Sequence, residues 1–292
     1  MYKARLLGCF LFIFCSISAA CLAATEPTSK DKQTLRIIAL APHIVESLFE
    51  IGAGAQIVGT TDHADYPTEA ENIPLVGNHA RLQIERIVEL APDMIIAWKT
   101  GNPVDDLNRL RRYNIPIVYS NPVLLDDVAE EIRSYGQLTG RVEKAEHIAA
   151  NYLTKLHQLQ HTYANKTPIT TFYELWPTPL RTVANNAWPQ QQLTVCGAKN
   201  PFGNLAQDYP QVGLEQVVVS QPQVIIQPNQ HAAQTQDTLH LQKWQEIPAV
   251  QHNFIFHPNP DKAHRMTTRM LDELALLCEN IDKARIFYTN HD

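Results

Sequence analysis

Residues 83–98 read QIERIVELAPDMIIAW, and residues 213–228 read GLEQVVVSQPQVIIQP. Both contain, in the same order, a glutamate, an apolar run at helical spacing, a proline, and a block of apolar residues that begins two residues after the proline. A helix that stops at a proline and leads into a short buried strand is half of a βαβ unit. Meeting that half-unit twice in one chain points to two α/β halves built on one plan.

The remainder of the chain fits that expectation. LRIIALAP (35–42) reads as a buried strand. IVESLFEIGAG (44–54) is a helix with Ile44, Val45, Leu48 and Ile51 on one face and Gly52 and Gly54 to stop it. A strand at 56–61, a helix at 82–90, a strand at 93–98, a helix at 105–114 and a strand at 115–120 continue the alternation, which predicts a wound parallel sheet. From Leu125 to about Tyr163 there is no strand candidate, only charged helical sequence interrupted by Gly136 and Gly140, which predicts a long helical connector. The alternation then restarts, with strands expected at 169–176, 224–226 and 253–259, a helix at 188–198, and a C-terminal helix at 266–288. A chain of 292 residues, 45% hydrophobic, has enough apolar sequence for two cores. The expected organisation is an N-terminal lobe at 35–124, a helical spine at 125–164 and a C-terminal lobe at 165–292.

The first 24 residues, with Lys3 and Arg5 ahead of an apolar stretch that dissolves into Ser and Ala, read as a secretory signal. A membrane anchor would need about 20 unbroken apolar residues. The cut is expected after Ala24, or before Cys21, which would allow a lipid anchor there; the bulky aliphatic residue that lipidation favours three places earlier is absent. Cys196 and Cys278 are the cysteines of the folded part, and an even pair in an oxidising compartment suggests a disulfide, with a metal pair as the alternative.

Several function classes are disfavoured. The net charge of −6, without a Lys/Arg run, argues against nucleic acid as a partner. The usual catalytic signatures (GxSxG, HExxH, a phosphate loop, CxxC) are absent, so the chain is expected not to be an enzyme. Within the repeat, the proline and apolar positions need only a fold to account for them. Glu85 and Glu215 stand at the same place near the start of each helix, where the helix dipole mildly favours a carboxylate and where a shared function would equally place one.

RIIALAP, the DYP loop (65–67), IERIVELAPDMIIAW, the helical spine, VCGAKNPF (195–202) and PQVGLEQVVVSQPQVII (210–226) together resemble the periplasmic binding proteins that feed vitamin B12, haem and siderophores to ABC importers. The similarity runs from about Leu35 to Asn280 and is strongest to the cobalamin binders. The resemblance implies two wound α/β lobes joined by a long rigid helix, a ligand cleft between the lobes, and a disulfide between Cys196 and Cys278. It also implies that Glu85 and Glu215 dock onto arginines of the importer's transmembrane subunits. Cobalamin, or a related corrinoid, is then cargo, and no resident cofactor is expected. Haem, a ferric siderophore or a metal ion is the alternative cargo.

Wound sheets bind ligands at the carboxyl ends of their strands, and the loops there carry His43, His63, His79 and His264. The resemblance sets all four at or beside ligand-facing positions, His63 and His79 standing where cobalamin binders usually carry aromatic rings. Histidine stacks less well than those rings but can coordinate a metal; each also reads as an isolated polar loop residue. Trp176 and Trp188 are the expected aromatic face of the second lobe, and Arg265 matches a cleft arginine that can bond corrin amides or a phosphate. Tyr66 reads as a brace and Trp98 as packing.

Overall fold

The computed structural model describes residues 34–229 and 243–291. The expected signal segment and Cys21 lie outside the described residues. Among the described residues no helix is long and apolar enough to cross a membrane.

The first lobe runs β1 (Ile37–Ala39), α1 (Pro42–Glu50), β2 (Ile57–Thr60), α2 (Ile84–Glu89), β3 (Met94–Trp98), α3 (Val104–Leu110) and β4 (Ile117–Ser120). Its strands pair in the order β2-β1-β3-β4, all parallel. Alternate strand residues face opposite layers. Ile38, Leu40, Ile95 and Ala97 pack with Ile84, Ile87, Leu107 and Leu110 of α2 and α3. Ile37, Ala39 and Ile96 turn the other way, into the cluster that holds Ile44, Val45 and Leu48 of α1. A sheet covered on both faces explains why its strands read as unbroken apolar runs.

The strand-free stretch that follows is two helices, α4 (Asp127–Thr139) and α5 (Val142–Tyr163). Gly140, at φ 72°, ends α4 in the left-handed region that glycine adopts without a Cβ penalty. Gly136 stays inside the helix because a Cβ there would stand 2.3 Å from the Cβ of Ala145; its bare backbone lets the two helices pack closely. The single long connector expected from the sequence is therefore a pair broken at Gly140. α4 packs against α1, whereas α5, about 33 Å long at 1.5 Å per residue, reaches two helices of the second lobe, at Trp188–Val195 and Met270–His291.

The second lobe runs β5 (Ile169–Tyr173), the hairpin β6 (Trp176–Pro177) and β7 (Leu180–Arg181), α6 (Trp188–Val195), β8 (Ala198–Lys199), α7 (Leu214–Val219), β9 (Val224–Ile226), α8 (Pro248–Gln251), β10 (Ile255–Phe256), α9 (Pro260–Ala263) and α10 (Met270–His291). Its four-stranded sheet is ordered β10-β9-β5-β8, again all parallel. Taken in chain order this is the topology of the first sheet, so the repeated sequence, α2 into β3 and α7 into β9, occupies equivalent places. The equivalence extends to the backbone. Ala91 and Gln221, each just before the repeated proline, both take positive φ, 43° and 46°. Asp93 accepts from the Arg36 amide at 2.8 Å and Gln223 from the Thr170 amide at 3.0 Å, each fastening the repeat to its lobe's first strand.

One cluster of buried residues passes from Ile37 through Ile132, Tyr152 and Leu156 of the helix pair to Leu274 and Ile281 of α10, so both lobes share an apolar spine. Cys196, at the end of α6, is bonded to Cys278 of α10. Two expected elements are shorter than the sequence suggested. The strand at 169–176 ends at Tyr173, and Trp176 belongs to the hairpin instead. The C-terminal helix begins at Met270; in the segment before it, Arg265, Thr268 and Arg269 are engaged with side chains of the first lobe.

Candidate functional site

In each sheet the strand order reverses beside the first strand, between β1 and β3 and between β5 and β9. Crevices at such points are where wound sheets take ligands. Between the lobes lies a cavity of about 570 Å³. The first lobe contributes Trp98 at the end of β3, Thr100, and residues 121–123 after β4. The second contributes Leu175 after β5, Asn186, Trp188 and Pro189 at the start of α6, Asp208, Tyr209, His264 and Met266.

Trp98 is the aromatic face of the first lobe, and the residues after it explain its pose. Asn102 accepts from the Trp98 amide at 2.7 Å and donates to the Leu40 carbonyl at 2.8 Å, stapling the ends of β3 and β1 together. A Cβ at Gly101 would stand 1.8 Å from the indole, so glycine is what allows the ring to lie over the turn. The packing expected of Trp98 is present, since it lies against the main core cluster, and its other side lines the cleft. On the opposite wall Trp188 is 7% exposed, and its indole N–H is buried without a hydrogen-bond partner. Trp176 is 60% exposed on the β6–β7 hairpin and does not line the cavity.

The four histidines have different fates. His43 is buried at the start of α1, edge-on to Trp98, with its Nε2 2.8 Å from Ser120 Oγ. Ser120 gives its own proton to Glu131, so His43 is the donor; the Tyr135 hydroxyl and the Asn121 amide also donate to Glu131. Burial, with Arg265 nearby, lowers the His43 pKa to about 3. His264 lines the cleft, but its Nε2 is paired with the Tyr173 hydroxyl at 2.8 Å, and burial lowers its pKa to about 4. His63 and His79 stand exposed on loops and do not line the cavity. Among the described residues no group of three or more His, Cys, Asp or Glu is arranged to hold a metal ion, so the convergence of four histidines is not found.

Arg265, next to His264 in the chain, does not line the cavity and is occupied. It donates to Glu46 and Asp65 at 2.7 Å each, to Asp261 at 3.1 Å and to the His63 carbonyl at 3.2 Å.

A family model described as periplasmic binding protein matches residues 37–277. The chain belongs to the periplasmic binding protein family. The vitamin B12-binding protein of Vibrio cholerae serotype O1 is 36% identical over 281 residues, covering 95% of this chain and 97% of that protein. Among solved structures, the periplasmic vitamin B12 binding protein BtuF of Vibrio cholerae superposes with a TM-score of 0.79 at 35% identity, over 86% of this chain and 97% of the other. The periplasmic heme-binding protein RhuT from Roseiflexus, in apo form, gives 0.76 at 21% identity over 86% and 99%, a likeness of fold alone.

In this periplasmic binding protein Glu85 and Glu215 lie away from the cavity, each in the first turn of a six-residue helix and each exposed. Arg109 stands 3.9 Å from Glu85. Tyr209, Met266 and Glu46 had no local signal in the sequence, since each owes its place to segments far away along the chain. Trp98 did have one: an aromatic closing an apolar strand just before a glycine turn.

Proposed function

We propose that the chain is the substrate-binding component of an ABC importer, capturing cobalamin or a related corrinoid in the periplasm, with residues 1–24 as its export signal. The observation that carries this reading is an inter-lobe cleft with Trp98 on one wall and Trp188 and Tyr209 on the other. A corrin ring is broad, flat and edged with amides. Indole and phenol faces with the Met266 thioether suit its plane, and Asn121, Asn186 and Thr100 suit its edge. The names of the relatives support the same cargo. Haem fits less well, because both buried histidines of the cleft region already use Nε2 within the protein, His43 to Ser120 and His264 to Tyr173. The family's description, periplasmic binding protein, names a binding role, and capture followed by delivery is the reading that goes with it.

The test is to mix the purified mature protein with cobalamin, dicyanocobinamide or haemin, desalt it, and record the spectrum. Corrin bands at one per chain are expected, with an affinity of roughly −9 to −12 kcal/mol, submicromolar to nanomolar. Haemin retained while both corrinoids wash away would overturn the assignment. On the importer side, Glu85 and Glu215 suit a docking role: two exposed carboxylates, one per lobe at equivalent places, let a two-armed cationic receptor test distance and orientation together.

A further inference from the structure

Residues 264–269 connect the cleft to the seam between the lobes, and their side chains divide between the two. His264 and Met266 line the ligand cavity. Arg265, Thr268 and Arg269 point the other way, across the seam to the first lobe. Arg265 bonds Glu46 of α1, Asp65 and the His63 carbonyl there. Thr268 donates to Glu50, one turn further along α1, at 2.8 Å. Arg269 brings a guanidinium nitrogen to 3.2 Å from Glu46 and lies 3.6 Å above the Tyr66 ring. Glu46 itself is almost fully buried, its side chain 4% exposed.

We propose that Glu46, Arg265 and Arg269 are positioning residues of the cleft: this ion-pair cluster holds the lobes at a set aperture, fixes the wall formed by His264 and Met266, and so governs how fast the ligand leaves. A carboxylate as buried as Glu46 is tolerated only while its counter-charges stay in place. Both counter-charges come from the other lobe, so parting the lobes and stripping Glu46 of its partners are one event. The reverse also holds. With the arginines gone, Glu46 either takes up a proton or is rehydrated, and as long as it stays ionised rehydration means opening the seam. Because the same short loop carries both the arginines and the cleft wall, opening the seam moves the surface on which a ligand would rest. Glu46, Glu50, Asp65, Glu69 and Asp261 lie around the two arginines; Lys144 and Lys155 act on Glu50, whereas among the described residues the cations that act on Glu46 are Arg265 and Arg269.

The proposal rests on the corrinoid reading only for its second readout. Spin labels on Asp105→Cys, exposed on α3, and Ile286→Cys, exposed on α10, report the inter-lobe distance without any ligand. In Arg265→Ala the distance distribution of the ligand-free protein is expected to lengthen and broaden. The cobalamin off-rate, followed by its absorption, is expected to rise roughly tenfold or more, since an opened seam displaces the cleft wall formed by His264 and Met266 and changes in such contacts appear mainly in dissociation. Adding Glu46→Gln removes the charge that forces the seam apart, so the double variant should lie closer to the parent than Arg265→Ala does. An Arg265→Ala protein that keeps its disulfide and far-UV spectrum, melts lower, yet shows the parent's distances and off-rate would make the cluster merely structural and overturn the proposal. Should that variant fail to fold, Asp65→Asn and Arg269→Lys, which weaken the cluster without emptying it, must shift the distances in the same direction or the proposal fails. If no corrinoid binds the parent, the ligand assignment falls while the distance measurement still decides the role of the cluster.

Discussion

His43 and His264 are histidines that the fold withdraws from water, and that gives them a measurable signature. Their pKa values fall from 6.5 to about 3 and about 4, chiefly through burial. Between pH 6.5 and 4 the unfolded chain takes up protons that the folded histidines refuse, so stability rises with pH across this window and is lost as pH falls through it. The slope is about 1.4 kcal/mol per pH unit for each histidine. Glu46, Glu50 and Glu131 are shifted upward by burial and oppose the trend, because the folded state protonates them first. The comparison that isolates the histidine is therefore between variant and parent. His43→Gln keeps a donor near Ser120 but no titrating site, and its urea-unfolding free energy should fall less steeply from pH 6.5 to 4.5 than the parent's. Parallel curves would mean that His43 titrates normally. In the sequence His43, His63, His79 and His264 looked alike, each a histidine on a loop beside a strand end. What separates them is burial and the partner at Nε2, both supplied by residues distant along the chain.

At the level of elements, glycine shows how far local sequence reaches. Gly136 and Gly140 both read as interruptions of one helical stretch, yet only Gly140 ends a helix. Gly136 is kept for contact, since α5 turns back and presses Ala145 against it. Gly136→Ala should therefore destabilise the protein even though alanine is the better helix former by about 1 kcal/mol. Overpacking at a close contact costs about 1–3 kcal/mol, so a melting temperature lower by a few degrees is expected. A rise in melting temperature would show that the helix pair has slack at this point. The disulfide works at the same level: its two cysteines are 82 residues apart, a separation at which the chain-entropy model assigns about 4–5 kcal/mol. The pairing was readable from the sequence because two cysteines leave a single intramolecular pairing.

For the whole molecule, the recurring unit is the four-stranded parallel sheet with its α2–β3 or α7–β9 half. Repetition sets one exposed glutamate on each lobe, and the docking reading makes a sharp demand of them. The Glu85→Lys, Glu215→Lys double variant should keep its corrinoid affinity, since neither side chain lines the cavity, while uptake in cells stops. Losing a charge pair at a docking interface costs about 2–5 kcal/mol, and reversal adds repulsion. Normal uptake by the double variant would leave the two glutamates as helix-start residues. Arg109 adds an asymmetry to this face, because it stands near Glu85 and also 3.3 Å from Asp106.

The sequence by itself determined the wound α/β class, the twofold repetition and the helical stretch between the halves, all of which follow from periodicity and from proline and glycine punctuation, properties of neighbours along the chain. The family and the Cys196–Cys278 pairing were legible through the resemblance to known binding proteins. Tertiary structure alone decided which side chains share the cleft. It brought in Tyr209 and Met266, left Trp176 on a hairpin, sent His63 and His79 to the surface, and turned Arg265 from the cavity to the seam. The physical reason is that a side chain's surroundings are set by what packs against it across the lobes. Arg265 meets Glu46 more than two hundred residues earlier in the chain, and no window of local sequence contains both the guanidinium and the buried carboxylate that claims it.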